Sequence, residues 1–254
     1  MKVTFLGTGT SQGVPVIACT CEVCRSLDFR DKRLRTSIHI QIADKSLVID
    51  TGPDFRQQML REYIQRLDAV LFTHAHRDHT SGLDDVRAFN FKQNMDMPVY
   101  GTHDVLEQLK VEYSYIFANN NYPGLPRIDV REITNQPFTI GNIHITPLPV
   151  MHMKLPVLGF RIGGLSYITD ANFISDETLS KLEGTEVLVL NALQRDKHIS
   201  HFNLEEALAM VEKIKPSKAY FTHISHKLGL HTTIEKELPK HVALAFDGLQ
   251  VDVA

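Results

Sequence analysis

Short runs in which every residue or every second residue is apolar recur along the chain, each closed by Gly, Pro, Asn, Asp or another polar cluster. They predict strands over 2–6, 36–43, 46–50, 69–73, 98–100, 143–150, 157–162, 165–169, 186–190, 218–222, 242–246 and 249–253. Stretches in which apolar positions return every three to four residues predict helices over 54–65, 83–92, 103–117, 174–183, 203–214 and 231–237. The helix over 203–214 has the clearest start, with Asn203 placed as N-cap and Glu206 three residues later completing a capping box. Many strands interleaved with few helices predict a layered α/β (α+β) protein in which helices cover packed sheets. Residues 113–137, rich in Asn, Pro and Tyr, lack either period. They read as an ordinary loop or as a lid that contacts substrate.

Composition narrows this picture. A chain of 254 residues that is 43% hydrophobic can build one large domain or two small ones. A net charge of -3 gives no bulk attraction to nucleic acid or to anionic membranes. The opening MKVTFLGTGTSQGVP has no apolar signal-peptide region, and no run of ~18 apolar residues occurs. A soluble, cytoplasmic protein with no membrane partner is therefore expected. The three cysteines, crowded between 19 and 24, make a poor disulfide framework and agree with that expectation.

The chemistry is concentrated in LFTHAHRDHTSG, residues 71–82, where His74, His76, Asp78 and His79 fall within six positions after an apolar run. Imidazoles and carboxylates this close are costly to bury unless something pairs with them, and a metal ion is the natural partner. His152, Asp170 and His223 each follow an apolar strand, as this cluster does. Strand ends in one layer can converge on a common rim, so together these residues predict a metal site. Asp50, in VIDTGP, reads as an acceptor that orients a ligating imidazole, or as a turn residue before Pro53. Asp84 admits the same two readings.

The pattern resembles the metallo-β-lactamase superfamily of binuclear metal hydrolases. The resemblance runs from FLGTGTS at 5–11 through VIDTGP at 48–53 and THAHRDHTSGL at 73–83 to AFDG at 245–248. It implies one four-layer αββα sandwich domain over 1–254 with the metals at one edge. It also implies that His74, His76 and His152 hold a first ion, Asp78, His79 and His223 a second, and that Asp170 bridges both. Two divalent ions roughly 3.5–4 Å apart can share a bridging hydroxide, which serves as the nucleophile, and can clamp the attacking and leaving oxygens. Asp78 then belongs to the catalytic set as well as to the ligands. The donor types suit zinc, manganese or iron alike.

Cys19, Cys21 and Cys24 form a CxCxxC knuckle that can hold one structural zinc if a fourth ligand is found, and His226, in FTHISH, is the candidate. This combination resembles the PhnP subgroup of the superfamily, phosphodiesterases acting on cyclic ribosyl phosphates and similar diesters, although PqqB proteins of cofactor biosynthesis share the knuckle. In KHISHFNLEEAL, His201 is the expected general acid, as a histidine of near-neutral pKa can protonate a leaving alkoxide, and members of the superfamily carry a histidine in this region. His198 reads as a surface or outer contact. Arg30, Lys32, Arg33 and Arg35 read as a solvated face or as a phosphate-facing rim, and Asn191 stands where relatives would carry an acid. The absence of a long Gly/Pro- and Lys-rich arm sets long nucleic acid aside. The expected function is a binuclear phosphodiesterase for small, cyclic nucleotide-like diesters, with a homodimer as the assembly considered. The alternatives are an ester, thioester or lactam hydrolase and a PqqB-like protein.

Overall fold

The computed structural model describes residues 1–118 and 122–254. Fifteen strands follow one another among them. They are β1 (Lys2–Gly7), β2 (Ser37–Ile42), β3 (Lys45–Ile49), β4 (Ala69–Leu71), β5 (Met97–Gly101), β6 (Ile128–Glu132), β7 (Phe138–Ile140) and β8 (Ile143–His152). The series continues with β9 (Leu155–Ile162), β10 (Leu165–Ile168), β11 (Phe173–Ile174), β12 (Val187–Asn191), β13 (Lys218–Thr222), β14 (Val242–Leu244) and β15 (Gln250–Asp252). One sheet has the order β15-β1-β2-β3-β4-β5-β6; the other runs β11-β8-β9-β10-β12-β13-β14, with β7 paired to β8.

The strands read as nearly continuous apolar runs because both of their faces are covered. Along β12, Val187 and Val189 pack between the sheets with Phe5, Ile38, Leu71 and Phe160, whereas Leu188 and Leu190 pack beneath helices with Ala207, Val211 and Phe221. A third cluster joins Val48 and Val70 of the first sheet to Phe55, Phe89 and Leu106 of its own helices. Helix, sheet, sheet and helix are the four layers, as the resemblance implies.

Most boundaries lie within two residues of those expected, and the departures have local causes. The expected helix 103–117 is broken at Tyr113, between helices His103–Glu112 and Ser114–Phe117. The Tyr113 hydroxyl there donates to the Thr80 carbonyl at 2.8 Å and ties the break to the histidine-rich loop. The helix expected over 174–183 is Asp176–Lys181, because Ile174 pairs with Val150 in a short strand. The segment expected to be an irregular loop or lid over 113–137 contains a helical turn and the edge strand β6, and its residues 119–121 lie outside the described residues. The capping box is present as expected: the Glu206 amide donates to Asn203 Oδ1 at 2.9 Å, and Glu206 Oε2 accepts from the Asn203 amide at 3.1 Å. No helix among the described residues is long and apolar enough to cross a membrane.

Candidate metal centre

Two loops close on each other at the ends of β3 and β4. The Thr51 amide donates to the His79 carbonyl at 2.8 Å and the Gly82 amide to the Thr51 carbonyl at 2.7 Å. A side chain at Gly52 would place Cβ 2.2 Å from the Asp78 carbonyl oxygen, so only glycine allows this approach. Asp50, Asp170 and His223, which stand directly after apolar strands or one residue beyond, all have left-handed backbones with φ of 64°, 51° and 55°. Such conformations cost on the order of 1–3 kcal/mol each and gather at functional sites. Asp50 and Asp170 both face His79, and Asp170 also faces His223.

The structure brings the expected donors together in three groups: Asp78, His79, Asp170 and His223; His74, His76 and Asp170; and His152 with Asp170 and His201, where the expectation had His152 beside His74 and His76. Asp170 Oδ1 lies 3.3 Å from His79 Nε2, and its Oδ2 lies 3.3 Å from His223 Nε2 and 3.9 Å from His74 Nε2. Asp78 Oδ2 is 3.3 Å from His79 Nε2 and 3.8 Å from His223 Nε2. The His76 ring is 4.5 Å from that of His74 and 5.2 Å from that of His152. Ligands at ~2.1 Å from a tetrahedral ion stand roughly 3.4 Å apart, so this spacing fits divalent metal. A second observation agrees: His74 Nε2, His79 Nε2 and both ring nitrogens of His223 are buried without a hydrogen bond. Asp170 stands in both the His74/His76 group and the Asp78/His79/His223 group, the position of a bridge.

What the sequence did not disclose is how the imidazoles are held. His79 Nδ1 faces Asp50 Oδ2 at 2.8 Å, and Asp50 also accepts from the Thr73 amide and the Thr73 hydroxyl, each at 2.9 Å. With its hydrogen given to Asp50, Thr73 Oγ1 accepts from His74 Nδ1 at 2.9 Å. His152 Nδ1 donates to the Ser200 carbonyl at 2.8 Å. Three imidazoles thus keep their proton on Nδ1 and turn the Nε2 lone pair inward, the tautomer a metal requires. Asp50, read in the sequence as an orienting acceptor, orients His79 directly and His74 through Thr73.

The charges match this arrangement. Burial alone would push the Asp170 carboxyl up, but His223 and His79 hold it well below the usual carboxylate range. Burial likewise opposes ionisation of His79, and the carboxylates of Asp170, Asp50 and Asp78 more than reverse that, raising its pKa well above the ordinary value, so this imidazole would release a proton from Nε2 on binding an ion. His201 differs from expectation. Burial pushes its imidazole down to about 4, with Asp170 pulling the other way, so its pKa is not near neutral. Its Nε2 lies 3.2 Å from Asp170 Oδ2 and its ring stacks on His223 at 4.8 Å.

The knuckle closes too. His226 Nδ1 stands 3.3 Å from the sulfurs of Cys19 and Cys21 and 3.6 Å from that of Cys24, close to the roughly 3.5 Å between N and S ligands of one tetrahedral zinc. The basic cluster divides: Arg33 leaves the surface, whereas Arg30, Lys32 and Arg35 are half-buried and each has a partner within the fold. Arg33 is buried and donates to Thr8 Oγ1 and the Ala245 carbonyl, Arg35 pairs with Asp54, Arg30 pairs with Asp28, and Lys32 donates to the Cys24 carbonyl. Asp84 orients no imidazole; Tyr115 donates to it and Arg87 stands beside it. Asn191 clasps the backbone after Asp170, accepting from the Ala171 amide at 2.9 Å and donating to its carbonyl at 3.0 Å. An acid there could not do both.

Residues 45–224 match the family model described as the Beta-lactamase superfamily domain, and the chain belongs to that superfamily, as its αββα fold and its histidine and aspartate cluster also indicate. Its class is that of the metallo-β-lactamase fold. Within the class it is PhnP-like: a crystal structure of a diphosphatase from the PhnP family superposes with a TM-score of 0.93 at 37% identity, covering 100% of this chain and 98% of that one. PqqB from Methylobacterium extorquens shares the fold at a TM-score of 0.79 and 19% identity, with 100% of both chains covered. The octanoyltransferase of Porphyromonas gingivalis is 40% identical over 253 residues, which are 98% of this chain and 51% of that protein. Ribonuclease Z of Nanoarchaeum equitans is 23% identical over 175 residues, 65% of this chain and 54% of that protein. The chain therefore spans about half the length of these two curated relatives.

Proposed function

We propose that the protein is a binuclear metal-dependent phosphodiesterase acting on small phosphodiesters. His74, His76 and His152 would hold one ion, Asp78, His79 and His223 the other, with Asp170 between them; Cys19, Cys21, Cys24 and His226 would hold a separate structural zinc. Two bound ions (zinc, manganese or iron) supply a water nucleophile at neutral pH and offset charge building on the phosphoryl oxygens. The single observation that carries the reading is the placement of His201, buried against Asp170 and His223 yet joined to the surface. Its Nδ1 is 3.2 Å from that of the exposed His198, and Ser200 Oγ lies within 3.3 Å of both rings. The Asp170 carboxylate beside Nε2 and the negative charge of an arriving diester both favour the protonated form of His201. It would then donate that proton to the leaving oxygen, while Lys154, beside His76 and His152, attracts the anion.

The test is turnover of bis(p-nitrophenyl) phosphate and 2′,3′-cyclic nucleotides by metal-loaded protein. His201→Ala should lower kcat on the cyclic nucleotides by roughly 10²–10⁴-fold. Absence of turnover with the ions bound would overturn the proposal. A second reading, hydrolysis of an acyl ester or thioester at the same centre, draws support from the relative named octanoyltransferase. There His201→Ala should leave most activity intact.

A further inference from the structure

Two cavities meet at His76, and their walls differ in kind. The smaller, about 430 Å³, is lined by His76, His152, Lys154 and Ser200, with Met153, Leu155 and Ile199 at its edge. The larger, about 840 Å³, opens beside His74 and His76 where the two sheets are stitched together by the Leu158 amide donating to the Thr73 carbonyl at 3.0 Å. Val105, Val150, Met151, Val157, Leu158 and Phe173 are among its lining residues. Neither lysine nor arginine lines it, and apart from the two histidines its only ionisable group is Asp104. A second phosphate placed there would meet an acid and no cation. A nucleobase would find one phenyl ring to stack on, Phe173, which is itself 57% exposed; Thr102, Gln108, Asn135 and Ser175 are the uncharged polar side chains of the lining. The rims of both cavities also leave large apolar side chains in water: Ile199 is 75% exposed, Phe173 57%, Met153 53% and Leu155 40%. Apolar surface kept wet around a catalytic rim marks a place where substrate covers it.

We infer that the larger cleft is the substituent subsite of this centre, and that it takes an uncharged, unbranched aliphatic chain attached to the phosphoryl group. The inference rests on the phosphodiesterase reading in placing the phosphoryl group at the metal ligands. The polar head sits between Lys154 and the ligands, and the chain runs past His74 over Leu158 toward Met151 and Phe173. Substrates of this description are alkyl phosphodiesters of the kind found in lipid headgroup linkages, and the exclusion of a second anion separates them from diphosphates.

Calorimetric titration of the metal-loaded full chain with methyl, butyl, hexyl and octyl phosphate, below their micellar concentrations, tests this without requiring turnover. Affinity should rise with chain length by up to about fourfold per methylene, the equivalent of ~0.8 kcal/mol per buried CH₂, with an increasingly negative heat-capacity change. Met151→Asp and Phe173→Asp should flatten the series, read as the ratio of octyl to methyl phosphate affinity. Octyl phosphate binding no tighter than methyl phosphate, or an unaltered series in both variants, would overturn the inference. Failure of the phosphodiesterase reading would show separately, as absent hydrolysis of bis(p-nitrophenyl) phosphate alongside an intact binding series.

Discussion

Replacing Asp50 by asparagine changes one oxygen into an amino group and should loosen both catalytic ions. Asp50 is fully buried, and its Oδ2 faces the Thr73 hydroxyl and His79 Nδ1 while its Oδ1 accepts from the Thr73 amide. If the asparagine keeps its oxygen toward the Thr73 amide, its NH₂ points at His79 Nδ1. That imidazole must then move its proton to Nε2, the atom that faces Asp78 and Asp170. If the amide flips, NH₂ opposes the backbone N–H instead, and two buried donors confront each other. In the first orientation the Thr73 hydroxyl also loses its acceptor, so the orientation of His74 relaxes; in the second a neutral amide oxygen replaces the carboxylate as its acceptor. Losing such an orienting partner costs about 10–100-fold in metal affinity, or ~1.4–2.7 kcal/mol. Chelator-competition titrations should show this weakening for both catalytic ions, with the zinc of the cysteine knuckle unaffected as an internal control. Unchanged affinity for both ions in a folded Asp50→Asn variant would refute the tautomer argument.

Three further outcomes are expected. His39 is buried against Ser46, and burial lowers its pKa from 6.5 to about 4, so the unfolded chain takes up a proton that the folded one refuses. Stability should therefore fall as pH drops from 6.5 toward 4, by about 3 kcal/mol in full; His39→Gln should show a smaller loss in urea midpoints measured at pH 7 and 4.5, and an identical loss would refute the assignment. Lys154→Ala should raise KM for anionic diesters about fivefold with kcat little changed, corresponding to ~1 kcal/mol, and added salt should shrink the difference; an equal salt dependence in both proteins would remove Lys154 from anion capture. His226→Ala should lower bound zinc by one equivalent per chain, read by elemental analysis, and full retention would show that the thiolates do not need it.

The layers and the residues that cluster between them were legible in the sequence for the same reason. Apolar runs such as VLVLN are long and bounded, and the chemistry sits just past their ends, at His152, Asp170 and His223. The strands that escaped notice are those where burial is weakest. Strand β6, IDVRE, is an edge strand with no fully buried residue, and β7 and β11 have three and two residues. The hydrogen-bonded frame was less legible than the ligands. Thr73 is one threonine among many until the fold brings Asp50 to it, and Asn191 looked like a departure until its clasp on Ala171 was seen. Arg33 read as surface charge because its neighbours are charged, yet its guanidinium also meets His231, almost 200 positions away. The depressed pKa of His201 depends on burial, which spacing along a chain does not record.

The four-residue knuckle also has a consequence in time. His226 lies 207, 205 and 202 positions after Cys19, Cys21 and Cys24. On a ribosome adding about 5–20 residues per second, the three thiols wait roughly 10–40 s before their imidazole partner is made. His223, three residues earlier, is the last histidine of the catalytic cluster to be synthesised. The thiol cluster and the histidine and aspartate cluster therefore gain their last partners within a few residues of each other. A nascent chain stalled before that point would carry a partial cluster at both places and a whole one at neither.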